Sequence, residues 1–312
     1  MHAYEQVLDR IAAGTPAWHA QFVAYRGQLR HWIDSGVLPD PRGRAVWDMG
    51  CGWGAFSLAF LAEGARAVTG TDAYLDRARI PPELFETERL ALIQGETTDL
   101  AQQVLGDCSG RAPLLFMHLV SEHVADLPAL LRAVRAHCRE GTQYFIHHDN
   151  YYHPVGHHDH GFLQFRPASR AVETEAIACW DRPERCDASA EHRARLREER
   201  AWQWSEASEA TRDPADCTAC NYRLRAMPWA HLVSADRFMQ VFPESFFVTA
   251  LNKITPFQLR QHLLESGFAI ESDVRILLTN AVPAGLSGRF TDDDLRTFTV
   301  TLVATPAEAA RP

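Results

Sequence analysis

A glycine-rich segment between a predicted strand and a predicted helix is the clearest chemical signal in the sequence. It runs Val46-Trp47-Asp48-Met49-Gly50-Cys51-Gly52-Trp53-Gly54, with the glycines spaced G-x-G-x-G. Glycine lets the backbone turn sharply and approach a ligand closely, and the N-terminus of the following helix supplies free N–H groups. Asp48, at the strand end, would repel the pyrophosphate that G-x-G-x-x-G loops bind and would attract an ammonium group. The segment therefore predicts a ligand that carries an amine.

A second carboxylate ends the next predicted strand. Asp72 lies 24 residues after Asp48. At this position of a doubly wound sheet, a carboxylate can accept both hydroxyls of a ribose. The two aspartates together predict a ligand that joins a nucleoside to an amine.

Histidines are concentrated in the segment 147–160, which begins at the end of a predicted strand. Substrates of doubly wound sheets bind beyond the carboxyl ends of the strands, so this segment is expected to border the reaction site. Imidazole accepts protons near neutral pH, and a histidine oriented by Asp149 would serve as a general base. The acid–base candidates at this strand end and at the neighbouring one are His147, His148, Asp149, Glu122 and His123.

Two other interpretations of the same segment stay open. Closely spaced His and Asp side chains also bind Zn, Fe, Ni or Mn, and the metal-ligand candidates are His148, His153 and His158. Adjacent residues such as His157 and His158 usually point apart, which weakens a metal site. The remaining interpretation is a polar loop whose histidines bond to backbone and water.

The apolar pattern predicts the elements that position these residues. Two N-terminal helices, at 4–13 and 16–35, have inward positions at Val7, Ile11, Phe22, Leu29 and Trp32. Strands are predicted at 44–49, 66–71, 90–94, 114–118 and 143–147, and helices at 55–63, 98–105 and 127–138. After residue 148 the regular pattern stops, and it returns with a helix from Pro256 and strands at 270–277 and 297–304.

This alternation predicts an α/β fold with a Rossmann-like, doubly wound, mostly parallel sheet of seven strands. We expect an N-terminal helical cover at 1–43 and a nucleotide-type domain formed by 44–150 and 251–305. The residues 151–250 would be a substrate-binding insertion, or lid, after the fifth strand.

With these elements in order, the sequence resembles the class I S-adenosylmethionine-dependent methyltransferases. The resemblance covers roughly 44–148 and returns at 255–304. It rests on the glycine loop, on Asp72 and on Ser121-Glu122-His123-Val124, which is similar to an LEHV stretch common after the fourth strand in that family. The resemblance implies S-adenosylmethionine as cofactor and methyl transfer to a small-molecule acceptor.

The resemblance also implies roles for individual residues. The loop from Asp48 to Gly54 would hold the methionine part of the cofactor, and Asp72 would hold the ribose. Glu96 and Thr97 would lie beside the adenine. The cofactor-binding candidates are Asp48, Gly50, Cys51, Gly52, Gly54, Asp72, Ala73, Glu96, Thr97, Met117 and His118, the last two lining the methionine pocket.

Other activities compete with methyl transfer. An enzyme of this shape can bind the cofactor and catalyse a reaction other than methylation. A metal-dependent protein centred on 147–160 is an alternative from another class. A dehydrogenase is disfavoured, because Asp48 and the loop spacing do not suit a pyrophosphate.

Composition limits the partners. The formal net charge is −9 over 312 residues, so the protein as a whole does not attract the phosphate backbone of a nucleic acid. A nucleic-acid substrate is therefore disfavoured. No stretch approaches the roughly 18 apolar residues of a membrane span, and the N-terminus does not resemble a signal peptide. The seven cysteines are scattered, and Cys217-x-x-Cys220 is only half of a zinc-site spacing. These features predict a cytoplasmic protein with a small-molecule substrate; they do not predict the oligomeric state.

Overall fold

A computed structural model describes residues 3–106, 110–154, 156, 229–233, 251–279, 282 and 285–307 of the chain. The chain divides into two compact units. The first comprises Met1–Asp149, Pro256–Ile276 and Thr299–Pro312, and the second comprises Asn150–Thr255 and Leu277–Phe298. In the described part of the chain, no helix is both long enough and apolar enough to cross a membrane.

One seven-stranded sheet organises the first unit. Its strands are β1 (Ala45–Met49), β2 (Ala67–Asp72), β3 (Leu90–Gln94), β4 (Leu114–His118), β5 (Gln143–Asp149), β6 (Phe268–Leu277) and β7 (Thr297–Pro306). Their order is β3-β2-β1-β4-β5-β7-β6. The neighbours among β1 to β5 are parallel, and β7 is antiparallel to β5. The fold class predicted from the sequence is confirmed.

The helices follow the predicted apolar spacing. They are α1 (Ala3–Gly14), α2 (Pro16–Asp34), α3 (Ala55–Ala62), α4 (Thr97–Gly106), α5 (Leu127–His137), α6 (Ala230–Val233), α7 (Pro256–Glu265) and α8 (Asp292–Arg296). All five predicted inward positions of α1 and α2 are buried. The predicted strands and the helices α1 to α5 and α7 agree with the observed bounds to within two residues at each end. The sequence also favours a charged helix at 190–207, and that range lies outside the described residues.

A buried arginine joins the amino ends of the central strands. Arg44 is 2% exposed and donates hydrogen bonds to the carbonyl oxygens of Ala112, Pro113 and Gly141 and to the side chain of Gln143. Burial lowers its pKa to about 10. These hydrogen bonds fill the space at the amino ends of the strands. Ligands of doubly wound sheets bind at the opposite, carboxyl ends of the strands.

The second unit has its own apolar cluster. Its buried members are Tyr151, Trp229, Leu232, Leu251, Leu286 and Leu295. Trp229 Nε1 donates to the carbonyl oxygen of Tyr152 at 2.9 Å, and His231 Nε2 lies 2.8 Å from the carbonyl oxygen of Tyr151. Asn150 Nδ2 donates to the carbonyl oxygen of Thr297 at 2.7 Å. These contacts connect residues 150–152 to later parts of the same unit.

Candidate functional site

The glycine loop turns tightly between β1 and α3. Gly50, Gly52 and Gly54 all have positive φ, of 70°, 52° and 78°. The N–H groups of Gly50 and Cys51 both donate to the carbonyl oxygen of Thr71, at 2.7 and 3.0 Å. The loop is therefore fastened to the end of β2, in a conformation that favours glycine.

Asp72 connects β2 to the same loop. Its Oδ2 accepts from the N–H of Gly52 at 3.0 Å, and its Oδ1 accepts from the N–H of Tyr74 at 2.8 Å. A carboxylate oxygen has two lone pairs, so each oxygen can accept one further hydrogen bond. The geometry leaves Asp72 able to bind two hydroxyl groups while it holds the loop in place.

Asp48 is buried beneath the loop. Ser57 Oγ donates to Asp48 Oδ2 at 2.6 Å. Burial raises the pKa of Asp48 to about 7, although the Ser57 hydrogen bond opposes the shift. Near neutral pH and without a bound cation, the Asp48 carboxyl is therefore only partly ionised, whereas the sequence alone indicated a full negative charge.

A cavity of about 210 Å³ lies against the loop. It is lined by Gln21, Tyr25, Asp48, Gly50, Cys51, Gly52, Trp53, Ala55, Phe56 and His118. It thus brings together five of the cofactor-binding candidates that the sequence suggested, namely Asp48, Gly50, Cys51, Gly52 and His118.

Helix α2 supplies two polar cavity residues that sequence reasoning missed, Gln21 and Tyr25, beside Ala55 and Phe56 of α3. Gln21 and Tyr25 lie one turn apart on α2, and the ring of Tyr25 stacks on Phe56 with centroids 4.3 Å apart. Trp18 Nε1 donates to the carbonyl oxygen of Trp53 at 2.8 Å, which ties α2 to the glycine loop. The apolar spacing marked the buried face of α2, but nothing in the sequence singled out the polar residues beside that face.

The other cofactor candidates have different surroundings. Met117 is fully buried, with its sulfur 3.7 Å from the hydroxyl of Tyr144, and it does not line the cavity. Glu96 is exposed at the start of α4, where Thr97 is half-buried. Ala73, directly after Asp72, is also half-buried.

His147 and His148 leave opposite faces of β5, as adjacent strand residues do. His147 Nδ1 is hydrogen-bonded to Thr301 Oγ1 at 2.7 Å, and its ring stacks on that of His118 with centroids 5.1 Å apart. Burial lowers the pKa of His147 to about 4, whereas the charge of Asp149 acts in the opposite direction. Burial, with a contribution from His147, lowers the pKa of His118 to about 3. Both rings are therefore uncharged at neutral pH.

The other face of β5 carries a buried polar cluster. His148 Nδ1 lies 2.9 Å from Ser121 Oγ and 3.6 Å from Glu122 Oε2. Burial, together with the charge of Asp149, raises the pKa of Glu122 well above its usual range, which favours the protonated form of this carboxyl. His123, by contrast, is exposed.

The metal-ligand candidates do not form a cluster in the described residues. Over these ranges, no group of three or more His, Cys, Asp or Glu side chains is arranged to hold a metal ion. His153 is buried, with its ring 4.7 Å from that of Phe298 in the second unit. His158, Cys217 and Cys220 lie outside the described residues.

Glu122→Gln is expected to make stability less sensitive to alkaline pH. Because the native state keeps Glu122 protonated while the unfolded chain releases that proton above its ordinary pKa of 4.5, wild-type stability falls as pH rises from there toward the native pKa. The loss is about 1.4 kcal/mol per pH unit over that window. Thermal unfolding at pH 5, 6, 7 and 8 should show the Tm of the variant gaining on that of the wild type as the pH rises from 5 toward the native pKa.

Glu140→Gln, at an exposed glutamate, is the matched control for this series. We expect its Tm to follow the wild type at every pH. If the Tm of Glu122→Gln also ran parallel to that of the wild type, the fold would not raise the pKa of Glu122.

Comparisons with known proteins agree with this geometry. A family model described as "Methyltransferase domain" matches residues 22–272. Among solved structures, the chain is similar to an S-adenosylmethionine-dependent methyltransferase from Mesorhizobium loti, with 16% identity, 86% of this chain and 94% of that chain covered, and a TM-score of 0.42. It is also similar to one from Archaeoglobus fulgidus, with 11% identity, coverage of 91% and 93%, and a TM-score of 0.44. No curated protein sequence matches.

Proposed function

Because this chain belongs to the methyltransferase-domain family of class I S-adenosylmethionine-dependent enzymes, we propose that it methylates a small-molecule acceptor bound beyond the carboxyl ends of β4 and β5. The net charge of −9 supports a small acceptor over a nucleic acid. We assign the choice of acceptor to the insertion at 151–250, most of which lies outside the described residues.

The cavity beside the glycine loop and the neighbouring end of β2 together have the chemistry that S-adenosylmethionine requires. Asp72 offers free lone pairs to ribose hydroxyls, and Asp48 offers a carboxylate to an ammonium group. The amide oxygen of Gln21, which lines the cavity, is buried and has no hydrogen-bond partner. An orphaned acceptor of this kind fits a ligand with N–H donors. Asp48 and Gln21 on the cavity wall, with Asp72 bonded to the glycine loop that lines the same cavity, are the observation that carries the proposal.

The bound cofactor supplies a methyl group already activated on a positively charged sulfur. What remains for the protein is to orient the acceptor and to exclude water. The aromatic side chains of Tyr25 and Phe56 form part of the cavity wall and help to keep it dry. His118 and His147, uncharged at neutral pH, add no positive charge that would oppose the sulfonium.

We assign removal of the acceptor proton to the histidines at the ends of β4 and β5. With a pKa of about 4, His147 is a weak base that is already free of its proton above pH 5. It therefore suits an acceptor that becomes acidic as the new bond to the methyl carbon forms. Glu122 and His148 contribute by holding the ends of the two strands together through Ser121.

Cofactor affinity is expected to rise with pH through Asp48. The free carboxyl has a pKa of about 7, and a bound ammonium group favours its ionised form, so binding below pH 7 must release a proton. Titrations with S-adenosylhomocysteine at pH 6 and pH 8 should differ in affinity by on the order of 10-fold, tighter at pH 8. In Asp48→Asn the difference should disappear, and a variant with the wild-type pH dependence would place the titrating group elsewhere.

Product analysis tests methyl transfer itself. The purified protein, S-adenosylmethionine and a panel of small oxygen, nitrogen and carbon nucleophiles are incubated together, and S-adenosylhomocysteine is followed with time. We expect one S-adenosylhomocysteine per methylated product, dependent on the acceptor. Conversion of an acceptor without S-adenosylhomocysteine would instead identify a non-methylating reaction, and methylation of tRNA but of no small molecule would overturn the proposed substrate class.

A further inference from the structure

The N-terminal helix α2 presents an unsatisfied acceptor to the cavity. Gln21 Nε2 donates to the hydroxyl of Tyr25 at 3.1 Å, while Gln21 Oε1 is buried and has no hydrogen-bond partner. Leaving a buried acceptor unpaired is unfavourable, and native proteins rarely do so unless a water or ligand completes it. Gln21 therefore needs a donor, and the cavity is where that donor must come from.

The surroundings of Gln21 specify which donor fits. Asp48, also on the cavity wall, is a second acceptor, with one carboxylate oxygen bound by Ser57. Two acceptors at one cavity suit a group with several N–H donors and a positive charge, and a primary ammonium has three donors and no acceptor. A carboxylate or a phosphate would meet acceptors on both sides and would be repelled.

Helix α2 is held firmly enough to place this group. Trp18 and Tyr25, on either side of Gln21 along the helix, contact the glycine loop and α3 respectively, through the indole hydrogen bond to Trp53 and the stacked ring of Phe56. The amide of Gln21 is further fixed by its bond to the Tyr25 hydroxyl. The side chain is therefore positioned before any ligand arrives, which limits the entropy lost on binding.

We propose that Gln21 accepts a hydrogen bond from the amino group of the cofactor's methionine part, so that α2 selects adenosyl ligands that carry this amine. The inference rests on the proposed function, because it takes S-adenosylmethionine as the ligand of this cavity. It assigns a cofactor-recognition role to the N-terminal helices in addition to covering the sheet.

The test compares variants with ligands that differ by one group. Gln21→Leu removes the acceptor oxygen Oε1 while the side chain keeps nearly the same size. Gln21→Glu keeps an acceptor oxygen at that position. The ligands are S-adenosylhomocysteine, its analogue with the amine replaced by hydrogen, and its analogue without the carboxylate. A hydrogen bond to a charged group is worth about a 10- to 100-fold change in affinity.

We expect calorimetry to show Gln21→Leu weakening S-adenosylhomocysteine and the decarboxylated analogue by about 10- to 100-fold, with the deaminated analogue unaffected. Gln21→Glu should retain wild-type affinity for the amine-bearing ligands. Gln28→Leu, seven residues further along α2 and away from the cavity lining, is the matched control and should bind all three ligands normally. Circular dichroism and Tm confirm that each variant is folded.

Four outcomes would overturn the inference, and the last of them would also overturn the proposed function. If Gln21→Leu bound S-adenosylhomocysteine as tightly as the wild type, Gln21 would have no role in binding. The proposed cofactor site would not be affected by that result. An equal loss with the deaminated analogue would mean that the amine is not the partner. If Gln21→Leu weakened binding of the deaminated analogue but not of the decarboxylated one, the Gln21 amide nitrogen would face the carboxylate of the ligand. Failure of the folded wild type to bind S-adenosylhomocysteine would overturn the proposed function together with this inference.

Discussion

Gly50→Ala is expected to abolish cofactor binding and to destabilise the fold. A Cβ atom at Gly50 would lie 2.3 Å from Val120 Cγ2 and 2.7 Å from Val120 Cγ1, and the backbone has a φ of +70° that a side chain disfavours. Overpacking and backbone strain of this kind each cost about 1–3 kcal/mol. We expect the free energy of unfolding to fall by about 2–5 kcal/mol, and cofactor affinity to fall by on the order of 100-fold or more because the loop must shift.

Gly52→Ala distinguishes the cost of the steric contact with Val120 from the cost of backbone strain, because only the strain applies at Gly52. Gly52 also has a positive φ, of +52°, but a Cβ there would meet no atom within 4 Å. Only the cost of a left-handed conformation applies, roughly 1–2 kcal/mol. Chemical denaturation and calorimetric titration should therefore rank Gly50→Ala as the more damaging change on both measures. Equal effects would mean that the contact between Gly50 and Val120 does not shape the loop.

Asp72→Ala is expected to weaken S-adenosylmethionine binding by about 100- to 1,000-fold. The change removes the acceptor proposed for two ribose hydroxyls, and hydrogen bonds to a charged group contribute about 1.5–3 kcal/mol each. It also removes the carboxylate that holds the N–H groups of Gly52 and Tyr74. Calorimetric titration with S-adenosylhomocysteine measures the loss, and Asp72→Asn, which keeps one acceptor oxygen, should fall between Ala and wild type.

Asp76→Ala provides a close control for Asp72. Asp76 Oδ1 accepts from the N–H of Ala78, two residues ahead, as Asp72 Oδ1 accepts from Tyr74. Asp76 is exposed and its carboxylate forms an ion pair with Arg79, whereas that of Asp72 accepts from Gly52 of the glycine loop. We expect Asp76→Ala to bind the cofactor like the wild type. Wild-type affinity in Asp72→Ala would show that the ribose is held elsewhere.

The central sheet was predictable because its signals are local. Apolar runs such as Leu114–His118 are buried on both faces of a parallel sheet, and their length and spacing identify strands without knowledge of their neighbours. The positive φ values of the loop glycines follow from the same local logic. The opposite orientations of His147 and His148 also follow from the two-residue period of a strand.

The parts of the site that were not predicted depend on contacts between distant segments. Gln21 matters because α2 packs across the glycine loop, and the sequence around Gln21 carries no sign of that contact. The raised pKa of Glu122 depends on its burial in the folded protein, and the raised pKa of Asp48 depends on its burial beneath the glycine loop. A residue's type therefore predicted its chemical capacity, whereas its protonation state required the fold.

The direct test of the account is a calorimetric titration of the unmodified protein with S-adenosylmethionine and, separately, with S-adenosylhomocysteine. The account predicts one site per chain for each ligand, with dissociation constants on the order of micromolar, and competition between the two. A protein that is folded by circular dichroism and gives no binding to either ligand would contradict it.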